Sequence, residues 1–332
     1  MSNDTALHLE YGSPRSWHVL VLGRAGMDLY PEPDGARIHD AESFSSDLGG
    51  SAGNIAVAIA KAGAKVGLIS ALSDDSVGEF VRQRLQQSGV DISLMIKTTG
   101  NERTSLALAE IRNEDCEVVI YRNNPADLMI QCTDQIKQAI ADASNLVVTG
   151  TSLIDAESRR HTLEMMSHAN DNGCPIWLDL DYRSWNWPSP EVTRAVYSEA
   201  ATLAQVLIGN DEEFAVLTAN LETQIEQCQQ CDQIMVLKRG ANGASLYAGN
   251  ERLNSGIYPL DPLKPYGSGD AFLGNLLVEY MKSSDWLQAV DAGSAAAALV
   301  VSQRGCASAM PTSDQLKSLQ LKHTMIPAAN WN

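Results

Sequence analysis

Short β-branched apolar runs alternate with longer amphipathic ones along most of the chain, and no other feature narrows the possible folds as much. The series begins with "HVLVLG" (18–23) and "NIAVAIAKAG" (54–63) and continues through "KVGLIS", "SVGEFVRQRLQQSG", "NLVVTG" and "DAESRRHTLEMMSHANDNG". It then runs through "PIWLDLD", "EVTRAVYSEAATLA", "QVLIG", a helix from about Asp211 to Leu217, and "IMVLKRG". Strand followed by helix at this rhythm requires right-handed crossovers, which predicts an α/β fold whose mostly parallel sheet is covered by helices on both faces. Ligands of such sheets sit at the carboxyl ends of the strands.

Two stretches break the rhythm. Residues 29–48, "LYPEPDGARIHDAESFSSDL", are polar and turn-rich, while 103–122, "RTSLALAEIRNEDCEVVIYR", pattern as two strands around a polar turn at Asn113 to Asp115. They predict a small antiparallel β lid, in segments at about 29–48 and 98–124, inserted in a single domain over 1–332. A lid can cover a substrate and exclude water, or its exposed edge can hold a second copy as a homodimer. A helical tail follows Pro311.

The charge balance excludes several partners. With 24 basic and 41 acidic residues the net charge is −17, and the resulting field repels nucleic acid and anionic membranes. No run of about 18 uncharged apolar residues is present to span a bilayer, and "MSNDTALHLEYGSPRSW" lacks a basic region ahead of an apolar core, so a cytoplasmic location is expected. Of the six cysteines only Cys228 and Cys231 are close, and with no second pair or nearby histidine they are expected to be reduced thiols. There is no G-x-x-x-x-G-K-[ST], no G-x-G-x-x-G after the first strand and no G-x-S-x-G, which removes P-loop, dinucleotide-fold and serine-hydrolase readings.

Several short constellations carry chemistry, each with an ordinary structural alternative. In "PYGSGDAFLGNLL" (265–277), Gly267, Ser268 and Gly269 compose a tight turn into a helix, whose N-terminus attracts anions, and Asp270 is either a helix cap or a reactive carboxylate. In "LGRAGMDLY" (22–30), Asp28 follows a strand and suits a polyol, or is a turn aspartate. "DLGGSAGNIAVAIAKAG" (47–63) sets Gly49 and Gly50 before a helix and turns the Asn54 amide toward a ligand, although small residues also serve packing. "VLIGNDEEF" (206–214) places Asn210 and Glu213 where they hold Mg²⁺ through water or form a capping box. "VLKRGANGASLY" (236–247) puts Lys238 beside a turn with Gly240 and Gly243, which is a phosphate-binding arrangement or a plain hairpin.

In their order these motifs resemble the ribokinase-like (PfkB-type) sugar kinases, from about Val19 to Pro311, ending in "GSAAAALVVSQRGCASAMP". Within that family "GRAGMDLYPE", "YRNNPADLMI", "DLDYRSWNW" and the lysine of "LKPYGSGD" look most like the kinases of 5-dehydro-2-deoxygluconate in inositol catabolism. The resemblance implies a ribokinase-like three-layer α/β/α fold and ATP-dependent phosphorylation of a primary hydroxyl. Asp270 would be the general base, with the amides of Gly267, Ser268 and Gly269 as an anion hole. Asp28, Gly49, Gly50 and Asn54 would hold the sugar, and Asn210, Glu213, Lys238, Gly240 and Gly243 the ATP and Mg²⁺. The metal would be held mainly through ATP and water near Glu213, with no site made by protein ligands alone.

Arg122 and Arg183, near the mouth of the sheet, favour an acid sugar, because a guanidinium binds a carboxylate in bidentate fashion. Each could instead serve structure, Arg183 paired with Asp179 or Asp181 and Arg122 on a solvated flap. The chain also departs from the family pattern: many members carry an aspartate that helps hold a monovalent cation where this one has Lys264. That lysine would supply the positive charge, so no K⁺ requirement is expected. The alternatives are a 2-keto-3-deoxygluconate kinase, a neutral-sugar kinase, or a sensor that keeps the fold without turnover.

Overall fold

The structure, a computed structural model, describes residues 16–218 and 220–327; most of the N-terminal stretch "MSNDTALHLEYGSPRSW" lies outside them. After β1 (Val19–Leu22) come β2 (Gly26–Glu32), β3 (Ser43–Gly49), α1 (Ser51–Lys61), β4 (Val66–Ile69), β5 (Ala71–Ser73) and α2 (Ser76–Gln87). The chain continues through β6 (Ile96–Thr98), β7 (Leu106–Ala109), β8 (Val118–Tyr121), α3 (Asp134–Ala141), β9 (Leu146–Thr149), α4 (Ala156–Asp171) and β10 (Ile176–Asp179). Next are α5 (Pro190–Leu203), β11 (Val206–Asn210), α6 (Asp211–Phe214), α7 (Leu221–Gln230) and β12 (Ile234–Lys238). It closes with β13 (Ala244–Ala248), β14 (Glu251–Ser255), α8 (Ser268–Ser283), α9 (Trp286–Val301) and α10 (Ser313–Lys322).

The main sheet orders its strands β14-β13-β12-β11-β10-β9-β1-β4. Pairing is parallel from β12 across to β4, with β13 and β14 added antiparallel at the edge. Because both faces are covered, both sets of alternating side chains are apolar. Val19, Val21, Trp177, Val206 and Val236 pack on one core with α1, α8 and α9, while Leu20, Leu22, Leu178, Leu207 and Leu237 pack on the other with α4 and α5. This is the expected three-layer α/β/α arrangement.

The lid is a separate sheet ordered β3-β2-β7-β8. Its outer pairs are antiparallel, as expected, but the central pair β2 and β7 is parallel, because these strands meet across a long excursion rather than a hairpin. Asp28 lies within lid strand β2, opposite Asp47 of β3 and Ala107 of β7, and not at the end of β1 as its sequence position suggested. Gly26, Asp28 and Tyr30 form the buried face of that strand. Among the described residues no helix is long and apolar enough to cross a membrane, and the six cysteines form no disulfide with one another.

Candidate active site

The strand order reverses around β1, which has β4 on one side and β9 on the other, and α/β sheets bind ligands at such a point. The parallel register brings the carboxyl ends together: Thr149 pairs with Asp179, and Asn210 with Lys238. Arg24, Thr149, Asp179, Asn210 and Lys238 therefore end or follow neighbouring strands along one edge.

The N-terminus of α8 faces this edge. Gly267 adopts φ +83°, and a Cβ there would lie 3.0 Å from the Cys306 Sγ and 3.2 Å from Val300, so glycine is required by both conformation and space. No side chain caps the helix. Its first backbone bond runs from Ala271 N–H to Gly267 O at 3.1 Å. Among the described residues, the N–H groups of Gly267, Ser268, Gly269 and Asp270 have no protein acceptor. These free donors, with the partial positive charge of the helix end, make an anion-binding cradle.

Asp270 is thus not a cap. Its Oδ2 accepts a hydrogen bond from Asn54 Nδ2 at 2.8 Å. Asn54 is on the first turns of α1, which the chain enters through Gly50 at φ +87°, where a Cβ would sit 2.6 Å from Arg24 O. A Cβ on Gly49 would meet the Asp28 carboxylate at 1.9 Å, and one on Gly274 would meet Ala58 Cβ at 2.6 Å. Small residues thus let α1 approach both the lid and α8, and that closeness brings Asn54 to Asp270.

Charge at the site is unbalanced. Lys238 Nζ lies 3.0 Å from Asp179 and 3.8 Å from Glu213, beside the start of α8. Arg183 pairs with Asp181 at 2.9 Å and Glu213 at 3.5 Å, and Asp181 itself holds a left-handed φ of +37°. Four carboxylates, Asp179, Asp181, Glu213 and Asp270, therefore face two cations, an excess suited to a divalent ion carried on a polyphosphate. Among the described residues no group of three or more histidine, cysteine or acidic side chains is arranged to hold a metal by itself.

Burial, reinforced by the charges of Asp181 and Asp179 and opposed by Asn54 and Lys238, pushes the Asp270 carboxyl up to about 7. Burial also raises Asp28, to about 6, against the pull of Arg24 and a hydrogen bond from Tyr30. Burial works against the Lys238 charge, but Asp179 and Glu213 outweigh it and hold the ammonium above its ordinary value.

Most of the expected site residues converge. Asn210 and Glu213 do form a capping box, with Asn210 N–H donating to Glu213 Oε2 at 2.8 Å, yet the other Glu213 oxygen faces Arg183. Gly240 and Gly243 make the β12–β13 turn with φ of +54° and +82°, just beyond Lys238. Lys264 is fully buried, and its Nζ donates to Tyr266 O at 2.9 Å and Val300 O at 3.0 Å. Arg122 is only 8 % exposed and is ion-paired with Asp127, with a further bond to Thr151 O at 3.1 Å. Sequence reasoning named Asp179 and Asp181 only as partners of Arg183, and did not single out Tyr30, whose hydroxyl donates to Asp28 at 3.2 Å. The signal was present for the first two, which stand at and just past the carboxyl end of β10.

Residues 17–313 match the family model described as pfkB family carbohydrate kinase. The chain is 37 % identical to the 5-dehydro-2-deoxygluconokinase of Photobacterium profundum, over 91 % of this chain and 94 % of that one. A putative ribokinase II from E. coli superposes with a TM-score of 0.85 at 21 % identity, covering 92 % of this chain and 100 % of that one. A fructokinase double mutant from Vibrio cholerae O395, in a fructose-, ADP- and potassium-bound form, gives 0.80 at 25 % identity, covering 92 % and 99 %.

Proposed function

The chain belongs to the pfkB family of carbohydrate kinases, and from that premise we propose that it transfers the γ-phosphoryl group of ATP to the primary hydroxyl of 5-dehydro-2-deoxy-D-gluconate. The observation that carries the reading is the Asp270 carboxylate, held by Asn54 at the uncapped start of α8. In this reading Asp270 accepts the proton of the primary hydroxyl as its oxygen attacks the γ-phosphorus and the bond to the ADP oxygen breaks. The amides of Gly267, Ser268 and Gly269 and the Lys238 ammonium stabilise the transferred phosphoryl oxygens. Mg²⁺, when bound with ATP, neutralises phosphate charge on the side where Glu213 and Asn210 lie. Asp28, Gly49, Gly50 and Asn54 line the sugar side. Arg183 is 41 % exposed and faces the phosphoryl side, and Gly240 and Gly243 shape the nucleotide side.

ADP release with a panel of aldonic acids and neutral hexoses tests the reading. Preference for the acid is expected, and turnover of neutral sugars alone would replace it. The base also fixes the sign of a pH dependence. Above about 7 Asp270 is ionised and can take the hydroxyl proton; below it the site is protonated and inactive, so kcat/KM should fall as pH drops through about 7. A profile flat from about pH 5.5 to 8 would contradict this. We also place a homodimer contact on the lid, whose β3 and β8 expose Phe44, Val118 and Tyr121. Sedimentation equilibrium returning only monomer would remove that contact.

A further inference from the structure

We infer that Arg24 is the residue that recognises the carboxylate of the acid sugar, an assignment that rests on the acid-sugar reading above. Three arginines stand near the mouth of the sheet, and their partners separate them. Arg122 is nearly buried and spent on Asp127 and Thr151 O. Arg183 is engaged by Asp181, Glu213 and the Tyr182 carbonyl, in the part of the site where carboxylates outnumber cations. A substrate carboxylate brought there would compete with the phosphates that the reading above places on this side, and would lie against Asp181 and Glu213.

Arg24 differs on each count. Among the described residues it forms no ion pair, and its one side-chain hydrogen bond is from Nη1 to the Ser105 hydroxyl at 3.1 Å. None of its nitrogens is sealed from solvent without a partner. Its place in the fold is set by backbone, since Arg24 O accepts the Gly53 N–H at 3.2 Å at the start of α1.

The guanidinium also points the right way. A Cβ built on Gly26 would come 3.4 Å from Arg24 Nη1, and Gly26 shares the buried face of β2 with Asp28. Arg24 therefore lies on the Asp28 side of the lid, close enough to oppose the rise of the Asp28 carboxyl, yet outside ion-pair distance. In this reading Asp28 accepts hydroxyls and Arg24 offers a fork to a carboxylate, while the primary hydroxyl reacts at Asp270, which Asn54 holds. Glycine at position 26 keeps this contact open, because a Cβ there would come 2.6 Å from the Ser105 carbonyl oxygen and 2.7 Å from the Ser105 hydroxyl that Arg24 holds.

The test is steady-state kinetics of Arg24→Met and Arg24→Gln on 5-dehydro-2-deoxy-D-gluconate and on its methyl ester, which removes the charge and keeps the hydroxyls. The wild type should prefer the acid. In the variants KM for the acid should rise about 10- to 100-fold, the scale of a lost charge-assisted hydrogen bond, with kcat and KM for the ester little changed. An unmoved KM for the acid, or equal rises for acid and ester, would overturn the assignment. The Gln variant keeps a donor for Ser105 and decides the matter if thermal melting shows that Arg24→Met does not fold. Should the wild type phosphorylate no acid sugar, the acid-sugar reading itself falls; if it does and the variants match it, only the role of Arg24 falls.

Discussion

Asp270→Asn is expected to lower kcat by at least about 10²- to 10⁴-fold, the usual contribution of a general base, while ATP binding changes little. Asparagine keeps the size of the side chain and its contact with Asn54, but it cannot accept the hydroxyl proton. The anion cradle is built from backbone amides that the substitution does not alter, so nucleotide affinity should persist. Burial disfavours the Asp270 charge, and removing that charge should leave the melting temperature equal or higher. The variant should also lose the inflection near pH 7. Activity near that of the wild type would remove Asp270 from the chemistry, and lost ATP binding would make it a binding group instead.

The second large effect concerns Lys264. The side chain is 0 % exposed, and its ammonium is held by two backbone carbonyls and lies 5.0 Å from the centre of the Tyr266 ring. We expect this cationic head, bound by carbonyls next to the anion cradle, to supply the charge that a bound monovalent cation would supply. We therefore expect equal activity of the wild type in sodium and potassium buffers. Lys264→Met should cut kcat about 10- to 100-fold, which corresponds to roughly 1–3 kcal/mol of lost charge stabilisation. It should also cost stability by leaving the Tyr266 and Val300 carbonyls without their donor.

Burial holds the Lys264 ammonium below its ordinary value, opposed by Cys306 and by Asp270, Asp47 and Asp28. The sign is the reverse of that for Asp270. The charge is present below the lysine's pKa and lost above it, so activity should decline on the alkaline side earlier than for an exposed lysine. Strong potassium activation of the wild type would sink the assignment, as would a Lys264→Met variant with unchanged kcat.

The architecture was largely legible because strands buried on both faces read as unbroken apolar runs, as "HVLVLG" and "IMVLKRG" do. Helix α3, Asp134–Ala141, was not picked out, and α9, Trp286–Val301, entered only through the family pattern; the latter is so rich in alanine that it shows little amphipathic contrast. Asp28 was placed at the end of β1 because Gly26 and Pro31 interrupt the strand pattern of β2. At the site, residue types were legible but partners were not. "VLIGNDEEF" cannot say whether Glu213 caps a helix or faces a ligand, and the fold makes one oxygen do each. Likewise the sequence singled out Arg122 and Arg183, but only the tertiary structure shows Arg122 spent on Asp127 while Arg24 keeps an open guanidinium.

Phosphorus NMR of the protein with Mg²⁺, ATP and 5-dehydro-2-deoxy-D-gluconate tests the central claim most directly. A phosphomonoester signal coupled to a CH₂ group should grow in step with ADP, placing the new phosphate on the primary hydroxyl. ATP consumed only to free phosphate, or a phosphomonoester formed with neutral hexoses and never with the acid, would contradict the account.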